Sequence, residues 1–285
     1  MKLSIISPTY NESENVGLLV AEIEKSLHGI DYEILISDDD SPDLTWARVE
    51  EIGRRNPRVR VLRRTSNRGL GPSVVDGFNA AAGEFVACID ADLQHDPHVL
   101  PQMLKELCSG SNLVVATRYM PGGGTANWNA IRRLGSWGCT KLAQWVLGVE
   151  LRDPMSGYFM MRRDDFMKVR NRLNARGFKI LLEIAAQMQP GNLREVPYTF
   201  GPRARGESKL TNKIIFAYLS QLWRLYFGVR RTAMESSSVM AESTGAASLA
   251  DLESAIVAPS AETVKQKGLA AYAGAGTSRS RTARG

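Results

Sequence analysis

Short apolar runs alternate with stretches of helical period through the first half of the chain. "LSIISP", "YEILISD", "VRVLRR", "EFVACID" and "NLVVATR" predict strands, and the pieces near 13–27, 43–55, 71–82 and 97–108 predict helices. In "ENVGLLVAEIEKSL" the apolar positions Val16, Leu19, Val20, Ile23 and Leu27 recur at spacings of three and four, the stripe that docks a helix on a sheet. Continuous runs such as "LSII" suit strands buried on both faces. The alternation predicts an α/β fold: a doubly wound, mostly parallel sheet flanked by helices, whose ligands bind beyond the carboxyl ends of its strands.

After residue 118 the pattern changes. "YMPGGGTANWN" predicts a mobile Gly-rich loop, and it leads into "AIRRLGSWGCTKLAQWVLG", where Ile131, Leu134, Gly138, Leu142 and Trp145 share one predicted helical face. "YFMMRR" predicts a strand, "ILLEIAAQM" a helix and "REVPYTF" a late edge strand. The last strong element is the amphipathic helix "KLTNKIIFAYLSQLWRLYFGVRR" over 209–231, with Lys213, Ser220, Gln221, Arg224 and Gly228 on a narrow polar stripe and its longest apolar stretch at 214–229. From Thr232 onward the composition shifts: 32 of 54 residues are Ala, Ser, Gly or Thr, too little apolar surface to offset the entropy of ordering, so 232–285 is expected to be a disordered tail.

Bulk properties narrow the class. A chain of 285 residues, 44% hydrophobic and 23% charged, buries a sizeable core and is neither fibrous nor largely disordered. Cys88, Cys108 and Cys139 lie far apart without metal or disulfide spacing, which fits a reducing, cytosolic compartment. The opening "MKLSIISPTYNE" has too short an apolar run for a signal peptide. The net charge of +6 resides wholly in residues 1–231, where 31 basic groups face 25 acidic ones, while the tail balances five against five. A basic body implies an anionic partner: phosphorylated small molecules, an acidic membrane surface or nucleic acid.

The stretch "FVACIDADLQHDP" runs from a buried strand into a knot of carboxylates. Asp90, Asp92 and Gln94 alternate, and on an extended segment their side chains point the same way. Three oxygen ligands at a strand end, with no sulfur or paired histidine, suit a hard divalent cation, Mg²⁺ or Mn²⁺, which leaves positions for substrate phosphate oxygens. The bland reading is a solvated strand end, since Asp-x-Asp is common. What weighs against it is that "SPTYNESEN" and "SDDDSPD" close two further strands at the same sheet edge, making one polar crevice.

Taken together, "SPTYNE", "DDDSPD", "DADLQH", "TRY", "DPMSGYF" and "RARGESKL" resemble family 2 glycosyltransferases, and within them the dolichol (polyprenol) phosphate mannose synthases. The resemblance covers residues 1 to about 228 in consistent order. It implies a GT-A glycosyltransferase domain over 1–231, with a nucleotide-sugar half over about 1–118 and an acceptor half over about 119–231. By position, Pro8, Tyr10, Glu12, Ser37 and Asp39 would hold the donor's base and ribose, and Asp90, Ala91 and Asp92 would contact its diphosphate, with Asp92 and Gln94 as the direct metal ligands. Arg118, Arg132, Arg203 and Lys209 would meet phosphates, including that of the lipid acceptor; the catalytic set is Asp92, Arg118, Arg203 and Lys209. Arg133 competes with Arg132, and each arginine has the alternative of an ordinary surface position. Asp38 reads as structural, and Asp40 stands where relatives often carry glycine.

The function implied is inverting transfer of mannose from GDP-mannose to a dolichyl or polyprenyl phosphate, on the cytoplasmic face of a membrane. A phosphate acceptor, with a second pKa of about 6, is already largely dianionic at neutral pH and needs no general base. In agreement, Ser156 and Gly157 stand in a region where hydroxyl-using relatives place a catalytic carboxylate. A UDP-sugar donor, glucose or N-acetylglucosamine, remains open, as does a catalytically idle subunit that recruits a membrane partner. No GxGxxG follows the first strand, which argues against a dehydrogenase, and no aromatic-basic RNA motif accompanies the charge, which argues against nucleic acid. No apolar run is long enough to cross a bilayer, so the helix at 214–229 either lies in the membrane interface or packs on the domain.

Overall fold

The computed structural model of the chain describes residues 2–125, 130–175, 179–188, 191–202, 220 and 222–226, with 130–134 as backbone alone. Its first half alternates strand and helix: β1 (Leu3–Thr9), α1 (Val16–Ser26), β2 (Tyr32–Asp38), α2 (Thr45–Arg55), β3 (Val59–Arg63), α3 (Leu70–Ala80), β4 (Phe85–Cys88), α4 (Leu100–Cys108) and β5 (Leu113–Thr117). There follow β6 (Gly124–Thr125), α5 (Ala130–Leu147), β7 (Phe159–Arg162), α6 (Arg163–Val169), α7 (Ile180–Gln187), β8 (Leu193–Pro197) and β9 (Thr199–Phe200). The predicted strands and helices up to β5 all form, because each apolar run has a sheet neighbour to satisfy its backbone and a helix to cover it.

Seven strands form one sheet in the order β3-β2-β1-β4-β7-β5-β8, parallel except for β7, which runs antiparallel to β4 and β5. Alternate residues of each strand feed two cores. Ile5, Ile34, Ile36, Phe85, Ala87 and Met160 face α1, α2 and α4, and Ile6, Leu35, Val86, Phe159 and Met161 face α3, α6 and α7. Phe78, Phe159 and Phe166 meet edge to face across the second core. The strand order reverses between β1 and β4, so the loops after these two strands open the crevice that doubly wound sheets use for ligands.

Three elements differ from expectation. The glycine run after β5 builds a turn, with Gly123 N–H donating to Met120 O at 2.9 Å, and then the strand β6, which pairs with β9 in a separate two-stranded sheet. The predicted strand "REVPYTF" is accordingly two strands: β8 forms the sheet edge, Tyr198 N–H turns back to Thr117 O at 3.0 Å, and β9 leaves for β6. On α5 the buried residues are Thr140, Ala143 and Leu147, while Trp145 is 83% exposed and Gly138 is exposed. The helix is apolar on more than one side, and the small Ala143 and Thr140 let it lie close to the domain in a way Trp145 could not. In the last helix Leu222 and Leu225 pack into the second core and Trp223 is 67% exposed. Residues from 227 onward, the predicted tail included, lie outside the described residues.

Candidate active site

The loops after β1 and β2 are stitched into one unit. Asn11 N–H donates to Ser41 Oγ at 3.0 Å, Glu12 N–H to Thr45 Oγ1 at 3.0 Å and Ser13 N–H to Asp43 Oδ2 at 3.1 Å. Asp38 is the structural post predicted for it: buried, it accepts from Thr9 Oγ1 and from both the N–H and Oγ of Ser41. Pro8 is half-buried at the end of β1, Tyr10 is 55% exposed at the rim, and Glu12 accepts from Asn15 Nδ2 at 2.6 Å.

Asp39 is buried and committed: one oxygen pairs with Arg64 Nη1 and the other accepts from Gly69 N–H at 2.7 Å. Arg64, which sequence reasoning passed over as the end of a strand, also donates from Nε to Asp76 at 2.9 Å and from Nη2 to Asn67 O at 2.6 Å. It ties the loop after β3 to Asp39 and so shapes the crevice wall. Asp40, at φ 55°, adopts the left-handed backbone that favours glycine, and Arg63 and Arg68 pair with its carboxylate. Ser37 is fully buried, and its Oγ exchanges hydrogen bonds with Ser73, 2.9 Å to the Ser73 carbonyl, so its side chain fastens β2 to α3.

The acidic knot is a turn, not an extended segment. β4 ends at Cys88, Leu93 takes a left-handed φ of 62°, and Gln94 N–H folds back onto Asp92 Oδ1 at 3.2 Å. Asp90, Asp92 and Gln94 therefore stand on a reversal of the chain rather than on an alternating strand. His95 sits beneath the turn, buried against Tyr158, Tyr198 and Phe200. Burial pushes its pKa down to about 4, so it is neutral at physiological pH, and Nδ1 accepts the Asp90 N–H at 3.2 Å rather than forming an ion pair. Ala91 packs in the first core.

The donor set here is hard oxygen, two carboxylates and an amide. A Cβ on Gly157 would lie 2.8 Å from Asp90 Oδ2, so the glycine keeps open the space beside that carboxylate. Gln94 Nε2 donates to Gly201 O at 2.9 Å, so the carbonyl oxygen is the atom of that side chain that could ligate a cation. These residues fit Mg²⁺ or Mn²⁺ with further oxygens supplied by a ligand. Among the described residues no three His, Cys, Asp or Glu side chains form a self-sufficient cage.

Across the crevice, Arg118 follows β5. Its guanidinium is 8% exposed and forked onto Asp153, Nε to Oδ2 at 2.7 Å and Nη2 to Oδ1 at 2.8 Å, and its own N–H reaches Oδ2 at 3.2 Å. The opposed burial would lower its pKa, but the Asp153 carboxylate more than offsets it and the group is held firmly charged. Asp153 is in turn positioned by Glu195 of β8, whose Oε1 accepts the Arg152 and Asp153 N–H groups at 2.9 and 3.1 Å; burial raises the Glu195 pKa. Arg118 is thus a clamped fork inside the site rather than a loose surface cation. The Ser156 hydroxyl donates to Ala116 O at 2.9 Å and accepts Tyr158 N–H at 3.1 Å, so this motif supplies structure, not a base.

Arg132 and Arg133 lie at the start of α5, where only backbone is described, and Arg203 and Lys209 lie outside the described residues. The chain enters that basic segment from a fixed point, since Gly201 N–H donates to Gln94 O at 2.9 Å. Sequence reasoning missed Arg64 and the pairing of Arg118 with Asp153.

Comparison with known proteins agrees with this layout. The family model described as "Glycosyl transferase family 2" matches residues 4–170. A protein of Pyrococcus furiosus named dolichol-phosphate mannosyltransferase is 44% identical over 79% of this chain, which spans 64% of that relative's length. Proteins of the same name from Mycosarcoma maydis and Saccharomyces cerevisiae are 37% and 35% identical, over 78% and 79% of this chain and 78% and 87% of their own. Among solved structures, glucosyl-3-phosphoglycerate synthase from Mycobacterium tuberculosis, in complex with Mn²⁺, UDP-glucose and glycerol 3-phosphate, shares the fold at a TM-score of 0.57 and 19% identity, covering 80% of this chain and 79% of its own. The match runs from β1 to just past the end of α6, through both loops and the turn that build the crevice, and the chain belongs to glycosyl transferase family 2.

Proposed function

We propose that the chain transfers mannose from GDP-mannose to a polyprenyl or dolichyl phosphate, with inversion at the anomeric carbon, on the cytoplasmic face of a membrane. The observation that carries the reading is the pairing, at one sheet edge, of an acidic turn with a clamped arginine, in a chain whose relatives bear the mannosyltransferase name. Asp90, Asp92 and Gln94 would hold Mg²⁺ or Mn²⁺ on the donor diphosphate, and a structural relative is described in complex with Mn²⁺ and a nucleotide sugar. The ion, when bound, stabilises the charge that develops on the leaving diphosphate. Pro8, Tyr10, Glu12, Ser37 and Asp39 would line the nucleotide side, the last through a wall that Arg64 fixes.

Every remaining step falls to the protein's own groups and the acceptor. An acceptor phosphate oxygen forms the bond to C1 as the C1–O bond to the diphosphate breaks, and GDP departs with the bonding pair. Attack opposite the leaving group inverts the centre. Asp153, beside Arg118, is fully enclosed and occupied by that arginine, so it does not serve as a base; a dianionic phosphate requires none. Arg118, held in orientation by Asp153, makes up the proposed acceptor set with Arg132, Arg203 and Lys209.

The test is transfer of radiolabelled sugar from GDP-mannose, UDP-glucose and UDP-N-acetylglucosamine to polyprenyl phosphate, with Mn²⁺ or Mg²⁺ and with EDTA. Organic-extractable label from GDP-mannose alone, abolished by EDTA, is expected. Label from a UDP-sugar would keep the mechanism and change the donor; no label from any donor would favour the idle membrane-recruiting subunit.

A further inference from the structure

The hydrogen bonding of β4 to its neighbour ends just before the acidic turn. Ile89 N–H still donates to Ile6 O of β1 at 3.1 Å, and the next donor along the chain, the Asp90 N–H, goes instead to a side chain, His95 Nδ1 at 3.2 Å. At its far end the turn is fastened by Gly201, whose N–H donates to Gln94 O at 2.9 Å. The turn therefore hangs between two anchors, an imidazole at its start and a glycine backbone at its end.

The imidazole is itself held by residues remote in sequence. Its side chain is 2% exposed; Tyr158, just before β7, stacks on it with ring centroids 5.2 Å apart and planes at 26°, while Tyr198 and Phe200 meet it edge-on at 5.6 and 5.5 Å. Tyr158 Oη also donates to Asp96 O at 3.0 Å, which fixes the main chain directly after His95. The place of Nδ1 is set by the approach to β7, by β9 and by the corner between β8 and β9, not by the turn it serves.

The bland reading is a core histidine that fills an aromatic pocket. Packing alone favours phenylalanine there, since a ring nitrogen enclosed among aromatic rings costs free energy unless it is hydrogen-bonded. What histidine adds is a bare nitrogen that accepts, and the group it accepts from is the Asp90 N–H. The contact is to the main chain: Asp90 Oδ2 stands 3.8 Å from the same nitrogen, beyond hydrogen-bond range.

We propose that His95 is a positioning residue of the donor site: through the Asp90 N–H it fixes the first residue of the acidic turn, and so sets where the carboxylates of Asp90 and Asp92 stand to receive a divalent cation and the diphosphate it carries. The inference rests on the metal role proposed above for Asp90, Asp92 and Gln94. His95 touches neither cation nor substrate and exchanges no proton in the reaction. Two carboxylates one residue apart repel each other, and a main-chain anchor at the start of the turn holds the pair to one geometry. Groups that orient metal ligands in this way are worth about 10- to 100-fold in metal affinity.

Two variants separate the acceptor from the ring. His95→Phe keeps an aromatic ring between Tyr158, Tyr198 and Phe200 and deletes the acceptor; His95→Asn deletes the ring and supplies Oδ1, an acceptor the same number of bonds from the main chain as Nδ1. Mn²⁺ is titrated into the full chain saturated with GDP or UDP, whichever the wild type binds, with free Mn²⁺ read by electron paramagnetic resonance and folding followed by the unfolding transition. We expect Mn²⁺ affinity to fall about tenfold or more in His95→Phe and to stay within about threefold of wild type in His95→Asn. A role in packing alone gives the reverse order, because asparagine underfills the pocket. Wild-type affinity in the phenylalanine variant, or a loss in the asparagine variant equal to or larger than that in the phenylalanine variant, would overturn the proposal. Nitrogen-15 resonance of the wild-type ring gives a reading that does not depend on either variant folding: a bare Nδ1 is expected, and a proton on it would refute the proposal. A wild type that binds no Mn²⁺ with either nucleotide is a failure of the metal role itself, seen separately, and takes this inference with it.

Discussion

Gly157 lacks a side chain because Asp90 occupies the space where one would go. An alanine there would set Cβ 2.8 Å from Oδ2 and 3.3 Å from Cγ of that carboxylate, so the aspartate must turn away. Gly157 has no left-handed φ, and the change therefore strains the contact rather than the backbone. We expect Gly157→Ala to cut turnover on the order of 10- to 100-fold, as small displacements of a positioned group do, while unfolding free energy changes by no more than about 1 kcal/mol. Steady-state kinetics beside urea unfolding checks this; wild-type turnover would show that the position of Asp90 is immaterial. At this scale the sequence could be read where a proposal rests on residue type, as with the hard oxygen donors of Asp90, Asp92 and Gln94. It was illegible where a role depends on a tertiary partner: nothing near Asp39 in sequence announces Arg64, and nothing near Arg118 announces Asp153, which is 35 residues away.

Elements divide the labour between the two ends of the sheet. At the end remote from the crevice, Glu33 of β2 is 4% exposed and collects Ser4 Oγ at 2.6 Å, Ala82 N–H at 2.7 Å and Arg60 Nε at 2.7 Å, which joins β1, β2, β3 and the approach to β4. Burial alone would raise its pKa, but these donors more than offset it, so the folded-state pKa lies below the ordinary 4.5. The sign follows: a carboxylate with a depressed pKa contributes stability that is present above 4.5 and lost as the pH falls below it. Glu33→Gln should cost about 2 kcal/mol at pH 7, and the variant and wild type should converge as the medium is acidified below 4.5, with turnover per folded molecule unchanged. Urea titrations across that range decide it, since a difference that stays constant down to pH 3 would assign the loss to packing. Elements up to β5 could be read from period and apolar runs because each is flanked by a neighbour of ordinary kind. The turn at 90–94, the break at Tyr198 and the buried side of α5 could not, for each is settled by a partner distant in sequence: Gly201, Thr117 and the second core.

The proposed transfer would require the whole molecule to bring a water-soluble donor and a membrane-bound lipid to one crevice. No described helix is long and apolar enough to cross a membrane. What the surface offers instead is tryptophan: Trp137 at 55% and Trp145 at 83% exposure on α5, and Trp223 on the last helix. Eight residues separate the first two, which sets them roughly 80° apart around the helix, on one side of it. Tryptophan favours the boundary between headgroups and acyl chains, where its ring is buried and its N–H stays wet. The excess of 31 basic over 25 acidic groups in residues 1–231 adds attraction to an anionic surface that salt screens. Tyr119 Oη meets Ser136 Oγ at 2.7 Å, which links α5 to the corner that carries Arg118, so a membrane contact through the tryptophans would bring lipid phosphate toward the proposed acceptor side. The chain should therefore float with vesicles containing phosphatidylserine at low salt and come off as ionic strength rises. Trp137→Ala combined with Trp145→Ala should weaken that binding about tenfold or more while leaving transfer to a detergent-dispersed prenyl phosphate intact. Vesicle binding equal in the two proteins would show that α5 is not the contact. Transfer lost in detergent as well would mean that the tryptophans serve the acceptor site itself.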